Sequence, residues 1–391
     1  MSDLCVRCKG RLFCGLNYCP LLSKISAGKN ISQKIKGNNV FGDSPPNFFV
    51  GHYGYPSVFG GPMINFSGVE VEDDPSKWYG SSIEDIVRMR SSQLMARTKL
   101  NINSSKLEEA RLSTLSLKPV EMEAIVDKIN YSMSFSNILQ PIGPTADLKK
   151  INVTENFSIP SKVDKLLNEK ISVRESISEL TPFFDVYYLQ KLLSGGFLGV
   201  KNKLVPTRWS ITAIDKIVGD EFLKKVKDLK IAENYFIFSN TYLFNHFEIL
   251  LIPGSWEFEQ FEVWHPESFW NNSGSLAIEQ EYEGFEGRSD YAEKEGGGYY
   301  AGRLGVIEGL KSLKIQAKAV VFREISKDYK IPVGVGEVRE NVRHAFLKKP
   351  LKLSSLKDVF QELKKRLKTP LNEFTKRSFI LTQKRLNDFF S

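Results

Sequence analysis

Cysteine is scarce in this chain and confined to one end. The 391 residues hold four, at positions 5, 8, 14 and 19, and none follows. A secreted disulfide framework spreads its cysteines along the chain, so that class is excluded. Long apolar runs are missing too. One of the best, Phe247-Glu248-Ile249-Leu250-Leu251-Ile252, falls far short of the ~20 residues that span a bilayer. The first residues carry no apolar signal segment. These absences predict a cytoplasmic protein with no membrane partner. Histidine occurs only at 52, 246, 265 and 344. That wide spacing gives no catalytic or metal pattern, and each histidine reads as structural. The chain has no G-x-x-x-x-G-K-[ST], no H-E-x-x-H and no G-x-S-x-G. Gly334-Val335-Gly336-Glu337-Val338-Arg339 lacks the third glycine of a dinucleotide fingerprint.

Charge is uneven. The net formal charge is +8, but residues 1–40 carry 7 basic and 1 acidic side chain and residues 343–391 carry 13 basic and 4 acidic. The stretch between them holds 34 basic and 41 acidic residues. A core that wraps duplex DNA is expected to show the opposite balance. Contact with DNA is therefore expected from the ends or from a local patch. The competing reading of such charge runs is a solvated face.

The four cysteines follow the spacing Cys5-x2-Cys8-x5-Cys14-x4-Cys19. Four thiolates in so short a segment suit tetrahedral Zn²⁺ in a structural site with no open position. Cys5-Val6-Arg7-Cys8-Lys9-Gly10 has the form of a zinc knuckle, and Gly15 suits a second turn. An iron–sulfur cluster is the rival, since it also takes four cysteines and Cys19 precedes Pro20, but the other spacings miss the ferredoxin patterns.

The last residues, Gln383-Lys384-Arg385-Leu386-Asn387-Asp388-Phe389-Phe390-Ser391, fit Q-x-x-h-x-x-a-a, with h aliphatic and a aromatic. One turn of 3₁₀ helix places Leu386, Phe389 and Phe390 on one side as an apolar plug, with Gln383 beside it. The segment resembles the peptide by which replication and repair proteins dock on the DNA sliding clamp, PCNA. The alternative is a terminal segment folded back onto the core.

Between these ends, 41% hydrophobic residues over this length predict a large core and two or three domains. The expected fold class is α+β. A helix-rich first half and a strand-rich second half share one mixed body, with the small four-cysteine knuckle before it and a flexible tail after it. The expected segments are a knuckle over 1–20, a linker over 21–47, the body over 48–348, a basic amphipathic helical segment over 349–378 and a clamp-binding tail over 379–391. Periodicity predicts helical structure over 81–130, with Pro119 opening a helix over 119–130. Further helices are expected near 161–180, 184–194 and 209–227, and from Gly296 to about 313. Strands are expected over 234–252, 258–264, 315–325 and 331–338, followed by helices over 339–347 and 355–368.

Three glycine-containing turns are each followed by basic residues. They lead to Lys203, Arg208 and Trp209, to Arg303, and to Arg339 and Arg343. Glycine lets backbone approach a phosphate, and a helix N-terminus favours an anion, so these residues are candidate contacts for a nucleotide or DNA. Ordinary turn chemistry with surface arginines is the competing reading. A nuclease needs clustered carboxylates for Mg²⁺, and Glu257, Glu259, Glu262, Asp290 and Glu293 are the candidates.

The paired ends, together with His52-Tyr53-Gly54-Tyr55-Pro56, Leu204-Val205-Pro206-Thr207-Arg208-Trp209-Ser210-Ile211-Thr212 and Gly336-Glu337-Val338-Arg339-Glu340, resemble the archaeal Nre family of DNA repair proteins. The resemblance covers nearly the whole chain. It implies a DNA damage repair factor recruited through the clamp, with metal ligands at Cys5, Cys8, Cys14 and Cys19 and clamp contacts at Gln383, Leu386, Phe389 and Phe390. It assigns no catalytic residue. A repair factor that binds nucleic acid or a nucleotide, a clamp-tethered nuclease or nucleotide-processing enzyme, and a non-catalytic adaptor all remain open.

Overall fold

The computed structural model describes residues 8, 11–12, 19, 22, 35, 37–44, 47–65, 74–130, 143–268, 271, 273–329 and 331–382. Cys5, Cys14 and the peptide residues Gln383, Leu386, Phe389 and Phe390 lie outside them. The chain divides into two compact units, Met1–Val218 and Gly219–Ser391.

In the first unit six strands form one sheet: β1 (Asn39–Ser44), β2 (Phe48–Val50), β3 (Ser57–Asn65), β4 (Gln93–Asn101), β5 (Val120–Asn130) and β6 (Thr145–Val153). Helices α1 (Pro75–Trp78) and α2 (Ile83–Ser91) fall between β3 and β4, and α3 (Glu108–Leu112) between β4 and β5. After β6 come α4 (Ser161–Leu167), α5 (Val173–Leu180), α6 (Val186–Ser194) and α7 (Thr207–Lys227), whose last turns belong to the second unit. The strand order is β1-β5-β6-β4-β3-β2, and β1 also pairs with β3 through Asp43 and Asn65. Five strands therefore close on themselves as a barrel. Its core holds Val58, Ile64, Leu94, Met122, Val126 and Leu148. Each such buried side chain contributes about 1.5–3 kcal/mol of burial free energy.

The second unit is a six-stranded sheet covered on both faces. Its strands are β7 (Tyr235–Tyr242), β8 (Asn245–Ile252), β9 (Glu257–Trp264), β10 (Ala277–Glu283), β11 (Lys318–Ile325) and β12 (Leu351–Leu353), in the order β10-β9-β11-β8-β7-β12. Helix α8 (Gly297–Leu313) connects β10 to β11, and α9 (Gly336–Phe346) follows β11. They pack on Phe247, Ile249, Phe258 and Val321. Gly302 makes the approach of α8 feasible, because a Cβ there would lie 2.0 Å from Oε1 of Gln260. The opposite face buries Leu250, Phe261 and Phe322 under α10 (Leu356–Arg366), α11 (Leu371–Thr375) and α12 (Phe379–Thr382). Two covered faces explain the apolar runs at residues 249–252 in β8 and 319–322 in β11.

The fold is α+β, but strands and helices are interleaved throughout rather than split into a helix-rich and a strand-rich half. Residues 119–130, expected as helix, are strand β5. Val120, Met122, Ala124 and Val126 are buried while Glu121, Glu123 and Ile125 are exposed. That period of two outweighs the helix-favouring Pro119 and the Glu and Ala content. Residues 93–101 are likewise strand. The expected strand over 331–338 is absent: Pro332 removes a ladder donor, and Gly336 already opens α9. Within the expected linker, residues 39–44 are β1. The helices over 161–180, 184–194 and 209–227, and α8 and α10, fall where periodicity places them.

Candidate nucleic-acid interface

Two segments far apart in sequence are sewn together in the first unit. Ile102 donates its backbone N–H to Pro56 O at 3.0 Å, and Leu204 donates to Ile102 O at 3.0 Å. Val50 N–H donates to Thr207 Oγ1 at 2.9 Å, and Thr207 Oγ1 also lies 3.0 Å from Ser194 Oγ. Arg111 fastens the neighbouring loops by donating from Nε to Gly195 O at 3.1 Å and from Nη1 to Ser104 O at 3.3 Å. These bonds set the turn at His52–Pro56 beside Arg208 and Trp209.

The result is an exposed aromatic and basic surface. The Tyr55 and Trp209 rings lie 5.1 Å apart, and both are nearly half exposed. His52 and Tyr53 rings are 4.1 Å apart. His52 is held below its ordinary pKa, first by burial and then by the positive charge of Arg208, and both favour its neutral form. Lys203 and Arg208 are exposed. Large rings left in water beside cations offer flat faces for stacking and charges for phosphate.

The other candidate arginines are engaged elsewhere. In the second unit Arg303 is buried, with Nε 2.7 Å from Glu283 Oε1 and Nη1 3.2 Å from Asp220 Oδ1. Arg343 grips Glu308 with two parallel bonds of 2.7 and 2.8 Å and reaches Glu340 at 2.9 Å. Arg339 is fully buried. The carboxylates considered for Mg²⁺ are dispersed. Glu257 meets Lys318 at 2.5 Å, while Glu262 points to the other face of the sheet and meets Arg323 at 2.5 Å. Asp290 and Glu293 are exposed. Among the described residues no group of three His, Cys, Asp or Glu side chains is placed to hold a metal ion.

The histidines held a surprise for sequence reading. His246 and His265 line one cleft of about 610 Å³ with Thr241, Phe244 and Lys368. His246 Nε2 lies 3.1 Å from buried Glu248, and His265 Nε2 lies 3.7 Å from buried Glu324. Burial pushes the Glu324 carboxyl up, but bonds from His265 and from the Lys368 and Thr369 N–H groups hold it below its ordinary value. Two strand pairings bring these residues together: β8 with β11 sets His246 opposite Glu324, and β9 with β11 sets Trp264 opposite Ile325, which places His265 beside them.

Two family models match the chain, and they meet inside the second unit rather than at its border with the first. Residues 13–271 match the N-terminal region of archaeal Nre, and residues 283–389 match its C-terminal region. The chain belongs to the archaeal Nre family. Among its Nre relatives is a protein of Archaeoglobus fulgidus named DNA repair protein NreA, 37% identical over 94% of both chains. A second from that organism, DNA repair protein NreB, is 31% identical over 97% of both. DNA repair protein NreA of Haloferax volcanii is 32% identical over 88% of this chain and 87% of its own. No solved structure matches. No helix among the described residues is long and apolar enough to cross a membrane.

Proposed function

We propose that this Nre protein is a DNA repair factor that contacts nucleic acid through its first unit and is recruited by its C-terminal peptide to the sliding clamp PCNA. Its relatives bear the name DNA repair protein over nearly their full lengths. The observation that carries the nucleic-acid contact is the exposed Tyr55–Trp209 ring pair beside Arg208. Recruitment rests on Gln383, Leu386, Phe389 and Phe390, which complete the docking pattern directly after α12.

In this reading Cys5, Cys8, Cys14 and Cys19 hold a structural zinc ion. Cys8 is buried, and the Arg11 N–H closes a turn onto its carbonyl at 2.8 Å, which suits a knuckle that wraps a metal. Zinc there supplies a cross-link in place of a larger core.

The test is calorimetric titration of the cognate clamp with the intact chain and with a chain cut after Thr382. Binding that disappears on truncation supports recruitment. Phe389→Ala with Phe390→Ala should weaken it by about several hundredfold, since hot-spot aromatics contribute about 2 kcal/mol or more each. Equal binding by the truncated chain overturns the clamp reading. Turnover of DNA or a nucleotide with Mg²⁺ would shift the reading to a clamp-tethered enzyme.

A further inference from the structure

The closed barrel of the first unit has a specific connectivity. In chain order its five strands are β1, β3, β4, β5 and β6. The first pairs with the second, the second with the third, the third with the fifth, the fifth with the fourth, and the fourth with the first. The third and fifth strands, β4 and β6, run parallel, and every other pair is antiparallel. Helix α3 follows the third strand. This is the connectivity of the five-stranded Greek-key barrel called the OB-fold, which receives oligonucleotides on its second and third strands and on the loop between the first two. A fold alone assigns no function. The side chains on that face decide.

On β3 and β4 the outward residues are aromatic and basic. Phe59 is 43% exposed, its cross-strand partner Lys99 is exposed, and the Arg97 guanidinium lies 5.0 Å from the Phe59 ring. The loop between the first two barrel strands carries Tyr53, 75% exposed, and Tyr55. Residues 47–65 and 93–107 include Arg97, Lys99 and Lys106 but no aspartate or glutamate. This is the reverse of the acid-rich stretch around them. Unpaired bases have open faces that stack on such rings, whereas the bases of a duplex already stack on one another.

We infer that the outer face of β3 and β4, continued by the loop at residues 51–56, is a track for single-stranded nucleic acid. Phe59, Tyr53 and Tyr55 stack on bases, and Arg97 and Lys99 meet backbone phosphates. The inference rests on the nucleic-acid contact proposed above and names its ligand.

Fluorescence anisotropy of the full chain with labelled oligothymidine and with a duplex of equal length tests it. The single strand should bind more tightly. Phe59→Ala should weaken it about 5- to 100-fold. Lys99→Ala, at an exposed position where the fold is not at stake, should lower the slope of log affinity against log salt by ~0.7. Phe183→Ala, an exposed ring elsewhere in the unit, should change nothing. Single-strand binding indifferent to both Phe59 and Lys99 overturns the track. Preference for duplex, lost on Trp209→Ala, overturns the track and keeps the proposed contact. Failure to bind either form overturns both.

Discussion

Arg323 on β11 donates to Glu337 on α9 across 3.1 Å, and both side chains are buried. The same guanidinium reaches Glu262 at 2.5 Å and Asn245 Oδ1 at 3.0 Å, so helix and sheet share one polar knot. Burial pushes the Glu337 carboxyl up to about 7, against the opposing pull of Arg323. Its folded pKa therefore exceeds the ordinary value of 4.5. Between those values the folded chain binds more protons than the unfolded one, so this group's contribution falls as pH rises. The slope is at most about 1.4 kcal/mol per pH unit. Glu337→Gln removes the titration. Urea midpoints from pH 5 to 8 should show the variant gaining on the parent by about 1–3 kcal/mol. A constant difference across that range would contradict the assignment.

Arg303 gives a second prediction. Glu283 Oε1 accepts from both Arg303 Nε at 2.7 Å and Trp256 Nε1 at 3.0 Å, deep beneath α8. Arg303→Ala strands that carboxylate, and losing one partner of a buried pair costs about 3–5 kcal/mol. Chemical denaturation should show a loss of that order. Affinity for nucleic acid, measured where the variant is still folded, should stay unchanged. A fall in affinity without a fall in stability would return Arg303 to the list of phosphate contacts.

The sequence and the structure part company at particular residues. Helix α7 and the paired strands β7 and β8 were readable because their periodicity agrees with their burial. Strand β5 carried its alternation in plain view, yet helix-favouring residue types obscured it. Arg303 and Arg343 read as surface charges because sequence does not reveal which carboxylates will face them, and the burial of Arg339 is equally hidden. The meeting of Tyr55 with Trp209 depends on the Pro56–Ile102–Leu204 stitches, which are long-range backbone bonds with no local signature. The closure of the barrel is equally silent, since one pair, Asp43 with Asn65, completes it. The cysteine cluster and the C-terminal peptide are compact patterns whose proposed chemistry depends on spacing alone, and Cys5, Cys14 and residues 383–391 lie outside the described residues.

The cysteine cluster predicts its own stoichiometry. Thiol titration that releases one zinc per chain should be accompanied by four reactive thiols, and Cys8→Ser should lower the metal content of the purified protein. Visible absorption from bound iron would replace zinc by a cluster. Four reactive thiols with no metal in protein purified without chelator would remove the metal from the reading altogether.

The C-terminal peptide has a fixed root. Glu259 on β9 accepts from the Ser378 hydroxyl, from Phe379 N–H at 2.8 Å and from Ile380 N–H at 3.3 Å, while Gln280 Nε2 donates to it at 2.7 Å. Four donors converge on one buried carboxylate, and Ile380 is itself buried. Residues 379–382, expected at first as part of the tail, are thus held on the second unit. Glu259→Gln replaces an acceptor with an NH₂ that faces N–H donors. Leaving such buried groups unsatisfied costs about 1–3 kcal/mol. Amide exchange should quicken by about tenfold or more across residues 378–382, following the local opening energy. Affinity for the clamp should hold, because the proposed docking residues begin at Gln383 and are left unchanged. Unchanged exchange would mean that the apolar contact of Ile380 alone secures the root. A hundredfold loss of clamp affinity would instead make the anchored turn part of the docking surface.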